Sequence, residues 1–345
     1  MQREDFQKSI SRGESLLTFS LLLAIAIRIG YYFYNEDQIV YTYSHTGYLW
    51  DLIEPYLQDP LYSLIASSIA VILITIAVSI INVKHIIIRE RTLLPAGFVL
   101  LLFSSHPIFL TMNPYFIGIL FFLRAISKMF EAYQTKTSAF ACAHICFTIA
   151  LGSLFVSSLL WFYILFLIGF RTMRILNLKS FIASLFSFLV LYIPIFTFYL
   201  YSENLDAFFV PFSGITLDAI MEMPLMNFDI TEWVFIGFGI LLFISMSMDN
   251  YLNRHKDRIK TREYILFFSL LVVITFLLYI LLNIQSFMAL YICFIGFAML
   301  QGHYFGLVRN NYSLLLFILC TIFYLSACYV YVLHPITLQT IILFN

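Results

Sequence analysis

Charged residues are scarce in this chain: they make up 11% of its 345 residues, whereas hydrophobic residues make up 62%. A soluble domain usually carries about a quarter charged residues, so the composition excludes an ordinary soluble protein and indicates a polytopic membrane protein. A phosphate-cradling glycine loop, a GxSxG motif, an HExxH motif and a basic stripe suited to nucleic acid are also missing. Their absence argues against nucleotide chemistry and against a nucleic-acid partner.

Cysteines are few, and none lies in a predicted outer loop. All of them fall within apolar stretches: Cys142, Cys146, Cys293, Cys320 and Cys328. A disulfide framework is therefore not expected. We interpret these residues as small packing side chains, in preference to a redox or metal role.

Long apolar stretches fill most of the chain and predict an all-α transmembrane bundle of about 11 spans, forming a single membrane domain over residues 1–345. The predicted spans are 15–34, 61–83, 92–110, 114–131, 138–157, 158–170, 180–201, 231–248, 263–283, 286–307 and 312–333. Asp59-Pro60 and Asn113-Pro114 predict two helix starts, each with an N-cap followed by a proline. Residues 138–170 form either two short spans or one long helix with an interfacial piece, and the alternation of charge favours two.

Lys and Arg are absent from every second connection between the predicted spans. The basic connections contain Arg3, Lys8, Arg12, Lys84, Arg89, Arg91, Lys128, Lys136, Arg171, Arg174, Lys179, Arg254, Lys256, Arg258, Lys260, Arg262 and Arg309. The others contain Glu36, Asp37, Asp51, Glu54, Asp59, Glu203, Asp206, Asp218, Glu222, Asp229 and Glu232. Because short basic connections stay in the cytoplasm, we expect a cytoplasmic N-terminus and an extracytoplasmic C-terminus.

Three connections are long. Residues 35–60 and 202–230 are acidic and aromatic outer loops, and the second is expected to contain a short helix at the membrane surface. Residues 249–262 form a basic inner loop that is expected to contact anionic headgroups.

Arg28 is a basic residue inside the first predicted span. A buried guanidinium costs at least a few kcal/mol unless it reaches the interface or finds a partner. We expect Arg28 to reach the outer interface. There it either pairs with the following Glu36 and Asp37, which is the simpler interpretation, or holds an anionic headgroup or phosphate.

Glu36 and Asp37 are the candidate catalytic residues, because adjacent carboxylates can share one proton or hold a divalent cation. A solvated acidic dipeptide is the alternative. His106-Pro107 predicts a helix break of the kind that lines a cavity, so we assign His106, with Arg28, to a substrate or lipid phosphate. No metal ligands are assigned. His144 is expected to be a hydrogen-bonded core histidine and His303 a cap of helix carbonyls.

Part of the chain resembles a family of polytopic inner-membrane proteins of Bacteroidota known as a domain of unknown function. The resemblance covers about residues 73–201. It rests on Asn82-Val83-Lys84-His85, on Leu93-Leu94-Pro95-Ala96, on the hairpin from Ser104 to Phe122, and on Gly152-Ser153-Leu154-Phe155. It implies a setting in the cell envelope and assigns no catalytic residue.

The chain also resembles the C-type membrane glycosyltransferases in its many spans, its acidic pair in the first outer loop and its interfacial helix. That likeness implies Glu36 or Asp37 as the catalytic carboxylate, Arg28 as the partner of a lipid phosphate, and a polyprenyl-linked sugar as donor. With Arg28 the sole cation at that face, a divalent metal would have to supply further positive charge. The alternative is a non-catalytic membrane subunit or scaffold that docks a basic partner through its acidic outer face. Transport is less favoured, because the spans contain few ionisable groups.

Overall fold

A computed structural model describes residues 12–34, 46–213, 230–281, 286–307 and 311–333, and these residues form helices without strands. The helices are α1 (Glu14–Tyr34), α2 (Pro60–His85), α3 (Leu94–Leu102), α4 (Pro114–Glu131), α5 (Ser138–Ser153), α6 (Tyr163–Thr172), α7 (Leu178–Tyr201), α8 (Leu205–Ser213), α9 (Ile230–Asn253), α10 (Ile259–Leu281), α11 (Ser286–Leu307) and α12 (Asn311–Leu333).

Seven of these helices are long and apolar enough to cross a membrane, judged by length and composition: α1, α2, α7, α9, α10, α11 and α12. The prediction of an all-helical membrane protein is therefore confirmed at this level. Asp59 caps α2 as predicted, because its carboxylate accepts a hydrogen bond from the Leu61 N–H at 2.9 Å.

The centre of the bundle is formed by α3 and α11. Every residue of α3 is buried, and so are 83% of the residues in the most apolar stretch of α11. Gly302 permits their close approach, since a Cβ at this position would lie 2.4 Å from Cγ of Pro95. Small residues allow helices in membrane proteins to pack backbone against backbone.

The outermost helices are α7 and α9. In each, only 11% of the residues in the most apolar stretch are buried, so most of their apolar side chains face away from the bundle. The buried residues of α7 are Ser180, Ser184 and Ser187, through which it packs against α5. The exposed faces of α7 and α9 therefore suit contact with lipid.

One predicted span differs from the structure, and another region follows the favoured alternative. The span predicted over 92–110 is helical only over α3, because the residue before a proline avoids helical geometry and both His106 and Asn113 precede one. The region 138–170 is divided into two helices, as the favoured alternative had it: α5 ends at Ser153, a 3₁₀ turn covers Ser157–Phe162, and α6 follows. The backbone of 47–49 bonds to the carbonyls of Leu154 and Phe155 at this division.

Candidate functional site

The segment joining α3 to α4, residues 103–113, is a buried hairpin that is largely non-helical. His106 has an extended backbone and begins a 3₁₀ turn over Pro107–Phe109. Its Nδ1 accepts a hydrogen bond from the Ile108 N–H at 3.2 Å. Non-helical backbone inside a membrane protein needs partners from the protein itself, because lipid supplies none.

Neighbouring helices supply several of those partners. Ser67 on α2 donates to the Leu110 carbonyl, and Ser63 on the same helix accepts from the Met112 N–H at 2.9 Å. Cys328 on α12 donates to the Ser104 carbonyl at 3.4 Å. The hairpin is thus held by side chains that lie far away in the sequence.

Asn113 and Tyr291 form the polar centre of the hairpin, and both are fully buried. Asn113 Nδ2 lies 3.0 Å from the Ile108 carbonyl and 2.6 Å from Tyr291 Oη, which in turn lies 3.3 Å from the same carbonyl. The predicted helix start is confirmed, since Asn113 is the N-cap residue of α4 and Pro114 follows it, but the Asn113 amide is turned toward hairpin carbonyls and makes no capping hydrogen bond. Its Oδ1 has no hydrogen-bond partner.

Aromatic rings surround this polar centre. The ring of Tyr291 lies 4.7 Å from that of Phe109, 5.2 Å from that of Phe116 and 5.4 Å from that of Phe103, measured between centroids. These packed rings keep the hydrogen bonds of Asn113 and Tyr291 away from water, which strengthens them.

Arg28 reaches the same hairpin from α1. It is only 5% exposed, and its Nη2 donates to the Phe109 carbonyl at 3.3 Å. Arg28 is thus buried within the protein, because the broken hairpin offers its guanidinium an acceptor there. Its Nε has no partner, and among the described residues no carboxylate lies within 4 Å of its guanidinium.

The structure therefore brings Arg28 and His106, the two predicted phosphate-binding residues, to one three-residue turn. Arg28 contacts its last carbonyl, and His106 caps its start. A guanidinium has five N–H donors, so this arrangement can accept an anion with two or more oxygens. The predicted catalytic residues Glu36 and Asp37 lie outside the described residues.

The sequence does not single out Tyr291, and it indicates Asn113 as a helix N-cap without indicating its contact with Tyr291. Tyr291 is one of 23 tyrosines and lies in an apolar span, so nothing in the sequence distinguishes it. Asn113-Pro114 does mark the helix start, but a sequence pattern carries no information about which carbonyls lie within reach of the amide.

The two predicted outer loops meet at Tyr48. Tyr48 donates to the Phe208 carbonyl at 2.6 Å, and its ring lies 5.5 Å from that of Tyr199. The helix expected within 202–230 is confirmed as α8, with residues 214–229 outside the described part. Nearby, burial and the charge of Asp51 raise the pKa of Glu54.

Basic connections meet around Asp257. Its Oδ1 lies 3.0 Å from Arg89 Nε, and its Oδ2 lies 3.6 Å from Nε2 of His303. Burial raises the pKa of Asp257, but the contact with His303 and the charges of Arg89 and Arg262 outweigh it and leave the pKa below its usual range. His303 is thus directed toward a carboxylate, and the prediction that it caps helix carbonyls is wrong.

His144 also differs from expectation. It lies on an exposed face of α5, so the prediction of a core histidine is wrong. In the described residues, no group of three or more His, Cys, Asp or Glu side chains is arranged to hold a metal ion.

No family model, curated protein or solved structure matches this chain. The fold and the site alone define its class, which is an all-helical protein with several helices able to cross a membrane.

Proposed function

We propose that this chain is a multi-pass inner-membrane protein of cell-envelope biogenesis that transfers a sugar from a polyprenyl-linked donor at the outer leaflet, in the manner of the C-type membrane glycosyltransferases. One observation carries the proposal: Arg28 is buried at a broken hairpin with no described carboxylate within 4 Å, and His106 lies on the same turn. A buried cation without a counterion costs several kcal/mol. An anionic ligand at this position would offset that cost.

A phosphate suits this position. Phosphate oxygens match the planar donors of a guanidinium in pairs, which a single carbonyl at 3.3 Å does not. The Phe109 carbonyl therefore positions the Arg28 side chain, and the guanidinium keeps other N–H donors for the ligand.

The proposed reaction assigns the carboxylates a separate role. Glu36 or Asp37 removes the proton from an acceptor hydroxyl, the hydroxyl oxygen forms a bond to the anomeric carbon of the sugar, and the bond between that carbon and the phosphate oxygen breaks. The electron pair of the broken bond leaves with the lipid phosphate, next to Arg28 and His106. A general base and groups that stabilise developing charge are common elements of enzymatic group transfer.

The proposed topology has 11 crossings, with the N-terminus in the cytoplasm and the C-terminus outside. Contacts between connections support it. Among the basic ones, the Leu93 N–H bonds to the Arg12 carbonyl at 2.8 Å, and the Gln134 N–H bonds to that of Met173 at 3.2 Å. Among the acidic ones, Tyr48 bonds to Phe208. Basic connections thus contact basic ones and acidic connections contact acidic ones. This is expected if the two kinds lie on opposite sides of the membrane.

The test of the catalytic role uses Glu36→Gln and Asp37→Asn in cells. At least one of them is expected to abolish the change that the wild-type chain makes to the profile of lipid-linked sugars, with the protein level unchanged. Glu203→Gln, at an exposed acidic position, is the matched control. Unchanged glycan and lipid profiles in both variants would exclude the proposed transfer.

The test of phosphate binding uses Arg28→Gln and Arg28→Lys in purified chain. We expect a polyprenyl-phosphate lipid to co-purify with the wild type. Arg28→Gln is expected to lose it, and Arg28→Lys to retain part of it, because lysine keeps the charge without the paired donors. Lipid retention in Arg28→Gln equal to that of the wild type would contradict the assignment.

The second candidate is a scaffold that docks a basic partner. The contact between Tyr48 and Phe208 favours it, because it joins two acidic loops into one surface. Such docking would weaken as salt is added. Affinity purification in mild detergent tests it: recovery of the chain alone at low salt counts against the scaffold.

A further inference from the structure

Arg124 is a cation on the outside of the bundle. It lies on the exposed face of α4, seven residues before Glu131, which places it about 10 Å along the helix from the basic connection. Within the described ranges it has no carboxylate within 4 Å. An arginine on a lipid-facing helix surface needs water or an anion as a partner. Its long side chain can extend toward the interface to find one.

Two lysines extend this positive charge toward the basic connection. Lys128 follows Arg124 by one helical turn, so the two side chains are neighbours on α4. Lys128 Nζ lies 3.0 Å from one oxygen of Glu131, and Lys84 of α2 binds the other oxygen. Three cations against one carboxylate leave an excess of two positive charges. We call Lys84, Arg124 and Lys128 the basic rim.

A polar residue of the next helix lies at the same level. α4 and α5 are packed side by side and joined by a short turn, and His144 is six residues after the start of α5. That offset corresponds to about 9 Å, close to the depth of Arg124. His144 is exposed like Arg124, so polar side chains occupy one level of an otherwise apolar outer surface.

An apolar stripe leads along α2 to the basic rim. Six exposed side chains spaced three or four residues apart lie on one face of this helix: Ile65, Ile69, Ile72, Ile76, Ile80 and Val83. Val83 directly precedes Lys84, and α2 packs against α4. A ligand that follows the stripe therefore ends at the basic rim.

We infer that an anionic phospholipid binds here, with its headgroup phosphate at Lys84, Arg124 and Lys128 and an acyl chain along the α2 stripe. The stripe requires a long apolar tail, which a free phosphate ion lacks. The excess of positive charge disfavours a zwitterionic headgroup, whose cation would meet the same lysines. Basic pockets between helices are known to suit anionic headgroups. This site is separate from Arg28 and does not depend on the proposed transfer.

Native mass spectrometry of the full chain in neutral detergent tests the inference. Phosphatidylglycerol is expected to bind more tightly than phosphatidylcholine of the same chain length. The double variant Arg124→Gln with Lys84→Gln is expected to raise the dissociation constant for phosphatidylglycerol by on the order of tenfold or more. These side chains are exposed, so the substitutions leave the core packing intact.

The matched control is Arg171→Gln with Lys179→Gln, which removes two exposed charges that do not belong to the basic rim. It is expected to change the dissociation constant by less than about threefold. An equal loss of binding in both double variants would show a general attraction to the basic surface and overturn the site. So would equal binding of the two lipids, displacement by inorganic phosphate alone, or a dimer in place of the lipid-bound monomer.

Discussion

Tyr48 and Phe208 are separated by 160 positions in the sequence, yet the Tyr48 hydroxyl donates to the Phe208 carbonyl at 2.6 Å. This bond connects the first acidic loop to α8. The rings of Phe208 and Phe212 both lie within 6.5 Å of the Tyr48 ring. In the described parts of the two outer loops, Tyr48 therefore joins one loop to the other.

Removal of the Tyr48 hydroxyl is expected to loosen α8. Tyr48→Phe leaves the ring packing and deletes one hydrogen bond, which contributes about 1 kcal/mol. Amide hydrogen exchange in 205–213 is expected to become several times faster. Tyr56→Phe, at a tyrosine that is 78% exposed, is the control and is expected to leave this exchange unchanged. Unaltered exchange in Tyr48→Phe would contradict the role assigned to the bond.

The polar centre of the hairpin is expected to tolerate loss of Tyr291 Oη better than loss of the Asn113 amide. Tyr291→Phe removes one group, whereas Asn113→Ala leaves both the Ile108 carbonyl and Tyr291 Oη without their contact to Nδ2. We expect a loss of unfolding free energy of about 1 kcal/mol for the first and about 2 to 3 kcal/mol for the second. Thermal unfolding in detergent measures both.

The double variant tests whether Asn113 and Tyr291 act together. Because the two side chains contact each other, the effect of the pair is expected to fall short of the sum of the single effects by more than about 0.5 kcal/mol. Strict additivity would mean that the contact contributes nothing to stability.

Asp257 is expected to make the stability of the folded chain depend on pH. Its pKa is lowered in the folded state, so its contribution is present above the unfolded value of about 3.9 and is lost as the pH falls through the lower folded value. Asp257→Asn is therefore expected to unfold at a lower temperature than the wild type at neutral pH. The difference should shrink below about pH 4. A difference that is constant with pH would contradict this assignment of charge.

The proposed sidedness is expected to appear in cysteine labelling. All the natural cysteines are buried, so an introduced cysteine supplies the accessible thiol. In intact spheroplasts, an impermeant maleimide is expected to label Asp206→Cys and not Lys256→Cys. Labelling of the second position alone would reverse the topology, and permeabilised cells provide the control that both thiols are reactive.

Local sequence patterns predicted helix starts and breaks well. Asp59 caps α2, and the prolines after His106 and Asn113 bound the hairpin, because proline constrains its own backbone and that of the preceding residue. Contacts between distant segments could not be predicted in this way. Arg28 is buried against the Phe109 carbonyl, and that carbonyl is brought near it only by folding. His144 is exposed because of the rotation of α5 about its axis, which an evenly apolar span does not specify.

The hairpin between α3 and α4 has a consequence for biosynthesis. Its backbone groups form hydrogen bonds with side chains from distant parts of the chain, including Tyr291 and Cys328 near the C-terminal end. A ribosome releases those two residues only after most of the protein has entered the bilayer. The hairpin must therefore wait with incomplete bonding until synthesis is nearly over. Nascent chains halted before residue 291 are expected to be targets for membrane proteases, with the hairpin as the region first attacked.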